Sequence, residues 1–126
     1  MFKQIKYFVS YIFLSAYLIA CNTQQKIKYE FPAEMTNSVK VEYLKLCNKG
    51  KNLFLLNCAK CHYMKFKGKE VIPDFNPAQL ESYQIRISNL DHMKFVREDN
   101  ISAEELGYVI TFLTYKKKSG AAWKSN

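Results

Sequence analysis

The chain holds little from which to build a structural zinc site or a disulfide framework. Its histidines number two, His62 and His92, and its four cysteines are Cys21, Cys47, Cys58 and Cys61. A zinc site wants four donors, and no second pair of Cys or His residues stands at ligand spacing beside Cys58 and Cys61. Cys21 closes an apolar leader and Cys58 and Cys61 share one short motif, so no spare pair of cysteines is left to form a bridge. Alternating polar and apolar stretches long enough to argue for strands are absent. No internal repeat or low-complexity tract occurs in the body of the chain. The apolar run from Phe8 to Ala20 is too short and too weakly flanked for a stable membrane span.

Acid is also in short supply, since 11 acidic residues face 19 basic ones and leave a net charge of +8. In an exported protein that balance suits acidic protein partners or an anionic membrane surface rather than nucleic acid, and it equally serves plain solubility. What the chain does have is apolar weight. Of its 126 residues 48% are hydrophobic, which is enough for one domain with a modest core.

Lys3 and Lys6 before the run Phe8–Ala20 make residues 1–20 a secretory signal, whose removal lowers the charge by two lysines. The run ends in Leu18-Ile19-Ala20-Cys21, which resembles the lipobox of bacterial lipoproteins. That resemblance implies lipidation of the Cys21 thiol and an anchor on the periplasmic side of a bacterial membrane; the competing reading is an ordinary signal peptide with a chance cysteine. Residues 21–38 are polar, interrupted by Pro32, and read as a lipidated N-terminus and flexible tether, with a coil reach on the order of 20 to 25 Å. A folded domain over 39–118 and a C-terminal tail over 119–126 complete the division.

Three helices are expected in that domain. The first covers about Val39 to Asn57, with Leu44, Cys47 and Phe54 on one face and Leu46, Gly50 and Leu53 alongside. Cys47 reads there as a small core residue. Gly50 costs such a helix about 1 kcal/mol relative to alanine, which implies a close approach by something else. The second helix opens with Asn76 as N-cap, Pro77 at its first position and Gln79 completing a capping box, and is expected to run to about Ser88 with Leu80, Tyr83 and Ile87 buried. For the third, Ser102 and Glu105 form a capping box and Ile101 and Leu106 a hydrophobic staple. Leu106, Val109, Ile110 and Leu113 share a face, Lys116, Lys117 and Lys118 favour the C-terminal end of the helix dipole, and Gly120 stops the helix. The class expected from these elements is all-α.

The chemistry concentrates in Cys58-Ala59-Lys60-Cys61-His62. Two cysteines three positions apart lie on one side of a helical turn, so both sulfurs reach the vinyl groups of one porphyrin, and the next residue offers its imidazole to the iron. A zinc half-site and a dithiol redox pair are the rival uses of such a spacing. The first lacks partner ligands and the second lacks a βαβ setting.

Taken with Gly50-Lys51-Asn52-Leu53-Phe54 upstream, the motif resembles the class I cytochrome c family over roughly Val41 to Lys117. The resemblance implies a small cytochrome c-like helical domain wrapped around one covalent haem, in which Gly50 and Phe54 pack against Phe112, with Tyr108 beside it. Ile72-Pro73-Asp74-Phe75 is similar to the family segment whose proline carbonyl receives the Nδ1 proton of the ligating histidine, although Ile72 stands where the family has glycine; such a bond fixes the tautomer. Met93 matches the family's sixth iron ligand in position, with Lys94 where a proline is usual. His92, one residue away, is a competing ligand and otherwise a solvated loop histidine. Met64 is too close to His62 to reach the far face, and Met35 belongs to the tether.

With both axial positions filled, the implied function is one-electron transfer between redox partner proteins, not catalysis. Phe54, Phe75, Leu80, Tyr83 and Phe95 surround the porphyrin in this reading. Lys60, Lys65, Lys67, Lys69, Lys94 and Arg97 ring its edge, where they steer an acidic partner or serve as a solvated face. Alternatives are an accessory subunit of a larger oxidoreductase and a haem sensor or enzyme with a labile sixth ligand.

Overall fold

A computed structural model describes residues 26–82, 92 and 101–124. The signal peptide, Cys21, Tyr83, Ile87, Met93, Lys94, Phe95 and Arg97 therefore lie outside the described residues, as does the expected course of the second helix beyond Ser82.

Two antiparallel helices form the frame. Helix α1 spans Asn37–Asn57 and the last helix, α4, spans Ala103–Tyr115. Their seam runs along Tyr43, Cys47, Gly50 and Phe54, alternating four- and three-residue steps as one helical face requires. Tyr43 meets Tyr115 edge-on at 5.3 Å and Phe54 meets Phe112 at 5.8 Å between ring centres. Cys47 is fully buried, with its thiol 3.8 Å from the Thr111 carbonyl, and burial pushes that thiol up to about 11. The expected stripe began one residue late: Leu44 is 40% exposed, and Tyr43 holds the place assigned to it.

At Gly50 the helices touch backbone to backbone. A Cβ there would overlap the carbonyl of Tyr108 and lie 2.9 Å from Cβ of Phe112. The missing side chain is thus what allows the crossing, and the close approach inferred from its helix-propensity cost is present.

Both capping boxes form. Asn76 accepts from the Gln79 N–H at 2.8 Å while its own N–H donates to the Gln79 side chain at 2.9 Å, opening α3, Pro77–Glu81. Ser102 and Glu105 do the same at the start of α4, and Ile101 and Leu106 beside them are buried.

The all-α expectation is overturned. A two-stranded antiparallel hairpin, β1 over Met64–Phe66 and β2 over Lys69–Val71, follows the short helix α2, Ala59–His62. Its turn puts both central residues at positive φ, Lys67 at 49° and Gly68 at 76°, the pattern whose twist suits a two-residue hairpin. Strands of three residues are too short to announce themselves by alternation, and a lysine is an uncommon first turn residue. Two isolated bridges add to the β character, Tyr29 with Lys116 and Asp74 with Ala122.

The end of α4 also departs from expectation. The helix stops at Tyr115, with no basic residue in its last turn, and Lys116 leaves it in an extended conformation. Instead of facing the helix dipole, Lys116 is 3% exposed and ion-paired to Asp74 at 2.6 Å. The chain then meets Ile27–Phe31, part of the stretch read as a tether. Glu30 N–H donates to the Tyr115 carbonyl, Lys117 N–H donates to that of Lys28, and Tyr29 lays its ring edge-on against Phe112. That segment is held to the domain by backbone bonds on both sides of the bridge.

Candidate haem-attachment site

Cys58 is the joint between two helices. Its N–H donates to the Phe54 carbonyl and ends α1, while its own carbonyl accepts from the N–H groups of Cys61 and His62 and starts α2. The backbone bends there, and the single turn that follows carries Cys58, Cys61 and His62 at adjoining positions. Cys58 is buried on the core side and Cys61 is exposed, so the pair lines the boundary between core and surface.

Among the described residues three rings stand around His62. Trp123 lies 4.8 Å away between centres, Phe75 6.0 Å and His92 6.3 Å, the last parallel to within 10°. Burial, reinforced by the nearby His92, holds the His62 imidazole below its ordinary value. A neutral imidazole is the form that donates a lone pair to a metal.

Asp74 places two of those rings. Burial alone would raise its carboxyl, but the Lys116 ammonium and the N–H groups of Ser119 and Gly120 outweigh that and hold it below its ordinary value. Those two N–H groups donate to its two oxygens at 2.9 and 2.8 Å. Its backbone continues the grip, because Asp74 N–H donates to the Ala121 carbonyl and its carbonyl accepts from Trp123 N–H. Phe75 is the next residue along, and its ring lies 5.7 Å from that of Trp123. The segment read as a C-terminal tail is thereby laced onto the site. Trp123 was not among the residues singled out from the sequence, and its being the sole tryptophan was the one available signal.

The other expected residues divide. Phe54, Phe75 and Leu80 are buried in one cluster with Cys58 and Ile72. Pro73 is fully buried next to Asp74, but Nδ1 of His62 makes no hydrogen bond to its carbonyl. Met64 is half-buried on β1, and Met35 sits in the turn before α1. Lys60, Lys65, Lys67 and Lys69 are all exposed on α2 and the hairpin, with Lys65 opposite Glu70 in the ladder. A cavity of about 530 Å³ between Lys28, Lys51, Tyr63, Ile72 and Lys117 is separate, since none of Cys58, Cys61 and His62 lines it.

The donors that this turn brings together are two thiols and one imidazole. Among the described residues no three of His, Cys, Asp and Glu gather to hold a metal, whereas an iron already held by four porphyrin nitrogens asks the protein only for axial ligands. Among the described residues no helix is long and apolar enough to cross a membrane. Set against known proteins, the chain matches no family model, no curated protein and no solved structure.

Proposed function

We propose that the protein is a monohaem c-type cytochrome, exported and lipid-anchored, that passes single electrons between redox partner proteins. The observation that carries this reading is α2, one helical turn that brings two cysteines and a histidine together at the edge of an aromatic cluster. Cys58 and Cys61 would hold the porphyrin through thioethers and His62 would ligate its iron. A haem bound in that way supplies one-electron exchange between ferric and ferrous iron at its edge.

The chain's own residues do the rest. Phe54, Ile72, Phe75 and Leu80 exclude water from the core side, which favours the less charged state of a redox centre. Trp123 and Phe75 restrict the orientation of the His62 ring, so that electron exchange asks for little rearrangement there. The exposed Lys60, Lys65, Lys67 and Lys69 provide a positive rim for an acidic partner.

The anchor in this proposal is short. Cys21 stands six residues before Ile27, which is already packed on the core, and even a fully extended chain covers only about 20 Å over that distance. The domain is thus kept against the membrane surface, with Lys26, Lys28 and Lys117 near its anchored end.

The test is expression with export and haem-attachment machinery, followed by denaturation and acid extraction of the purified protein. Haem that stays with the polypeptide, on the peptide containing Cys58 and Cys61, is the expected result. Reactive thiols at both cysteines and no retained haem would refute the proposal. Mass spectrometry of the mature N-terminus tests the anchor, and an unlipidated Cys21 would remove it.

A further inference from the structure

We infer that His92, rather than Met93, closes the sixth position of the iron opposite His62, making the centre a bis-histidine haem; this rests on the haem reading above. The two imidazole rings come from different parts of the chain, with centres 6.3 Å apart and planes within 10° of parallel. A metal ion takes an imidazole nitrogen at about 2.0–2.1 Å, and with each ring centre about 1.1 Å behind its nitrogen, two rings sharing one ion stand about 6.3 Å apart. The separation of the His62 and His92 ring centres equals that spacing, which the pair would adopt with a nitrogen of each ring turned to the ion.

Two further observations agree. The described residues bring no third His, Cys, Asp or Glu to this pair, so the rings do not form part of a larger protein ligand set. Phe75 and Trp123 pack on His62 as well, and both are apolar-faced rings without a lone pair to offer iron. An iron has one sixth position, so His92 there excludes Met93. The consequence is a lower reduction potential than a thioether would give, because imidazole favours ferric iron more than methionine does. Such a carrier accepts electrons only from strongly reducing donors.

The experiment uses the purified holoprotein and needs no variant for its first arm. The ferric form should be low-spin and lack the weak red band of methionine-to-iron charge transfer, and parallel imidazole planes should give a rhombic low-spin resonance signal. Met93→Leu should leave the spectrum and midpoint potential where they were. His92→Ala should lose the low-spin spectrum and bind carbon monoxide once reduced, and His92→Met should raise the potential.

A methionine band in the wild-type protein overturns the inference, as does a Met93→Leu variant that becomes high-spin. Low-spin spectra in both variants overturn it too. The parent reading fails separately: a protein that releases all its haem on denaturation has no thioether attachment, whatever its axial ligands. Covalent haem with methionine ligation defeats only the present inference.

Discussion

Gly50→Ala and Gly107→Ala are the same chemical change in the same helical pair, yet they should move stability in opposite directions. A methyl at Gly50 runs into the Tyr108 carbonyl and lies 2.9 Å from Cβ of Phe112. Since backbone cannot swing aside as a side chain can, α1 and α4 have to part by about 1 Å, a gap that forfeits a quarter to a half of each dispersion contact across the seam. Cys47, Phe54, Val109 and Phe112 are all fully buried there. At about 1.5–3 kcal/mol for each of these four side chains, the loss comes to about 1.5–6 kcal/mol, with about 3–4 kcal/mol at the middle of that range. The methyl returns about 1 kcal/mol through helix propensity, leaving a net cost of about 2–3 kcal/mol. For a domain of this size that is a fall of roughly 10–20 °C in Tm. Gly107 meets nothing within 4 Å of an added Cβ, so there the propensity gain stands alone and stability should rise by about 0.5–1 kcal/mol. Urea unfolding followed by helix circular dichroism measures both. A Gly50→Ala cost below about 1 kcal/mol, or equal losses at both sites, would refute the backbone-contact account.

Three other expectations can be checked alongside. The Asp74 carboxyl titrates lower in the folded protein than its ordinary 3.8, so its contribution is complete above about pH 4 and is lost as pH falls through the folded value. Asp74→Asn should therefore cost about 3–5 kcal/mol at pH 7, by stranding the buried Lys116, and should flatten stability below pH 4; an unchanged acid limb sinks the assignment. Cys47, with its thiol pushed up to about 11 and its surface fully covered, should escape alkylation at pH 8 until the protein is unfolded, and stoichiometric native labelling would show that the seam is open. Under the proposed function, reversing Lys60, Lys65, Lys67 and Lys69 to Glu should slow electron transfer to an acidic partner on the order of ten-fold at low salt, and rates indifferent to ionic strength would show that the rim does not steer.

What could be read from the sequence was whatever depends on neighbours a few positions away. The two capping boxes each need only four residues, and both form as expected. Gly50 was legible for a different reason: a residue that penalises its own helix implies a compensating contact, even when the partner is 58 positions off at Tyr108. The hairpin was not legible because its strands are three residues long, below the length at which a period of two can be told from chance. The docking of Ile27–Phe31 was hidden for the reason that most bridges are. Its hydrogen bonds use backbone groups, which every residue has, and its register is set by Tyr115 and Lys117 far along the chain.

Lys116 shows how one misjudged residue carries a whole site with it. Read locally, a lysine ahead of two more lysines at a helix end belongs to the dipole and to solvent. Its partner Asp74 is 42 positions away, and only when the two meet does a nearly buried ammonium become tolerable. Meeting Asp74 also forces the chain out of the helix at Tyr115, because a continued helix would point the next residues elsewhere. The same carboxylate then gathers the Ser119 and Gly120 N–H groups, and the backbone of Asp74 pairs with Ala121 and Trp123. From that one residue follow the course of the last segment, the seat of Trp123 and, through Phe75 next to it, two of the rings that stand around His62 among the described residues. The CxxCH motif carries the proposed chemistry in five residues, but the surroundings that would tune it are assembled by an ion pair that no local pattern announces.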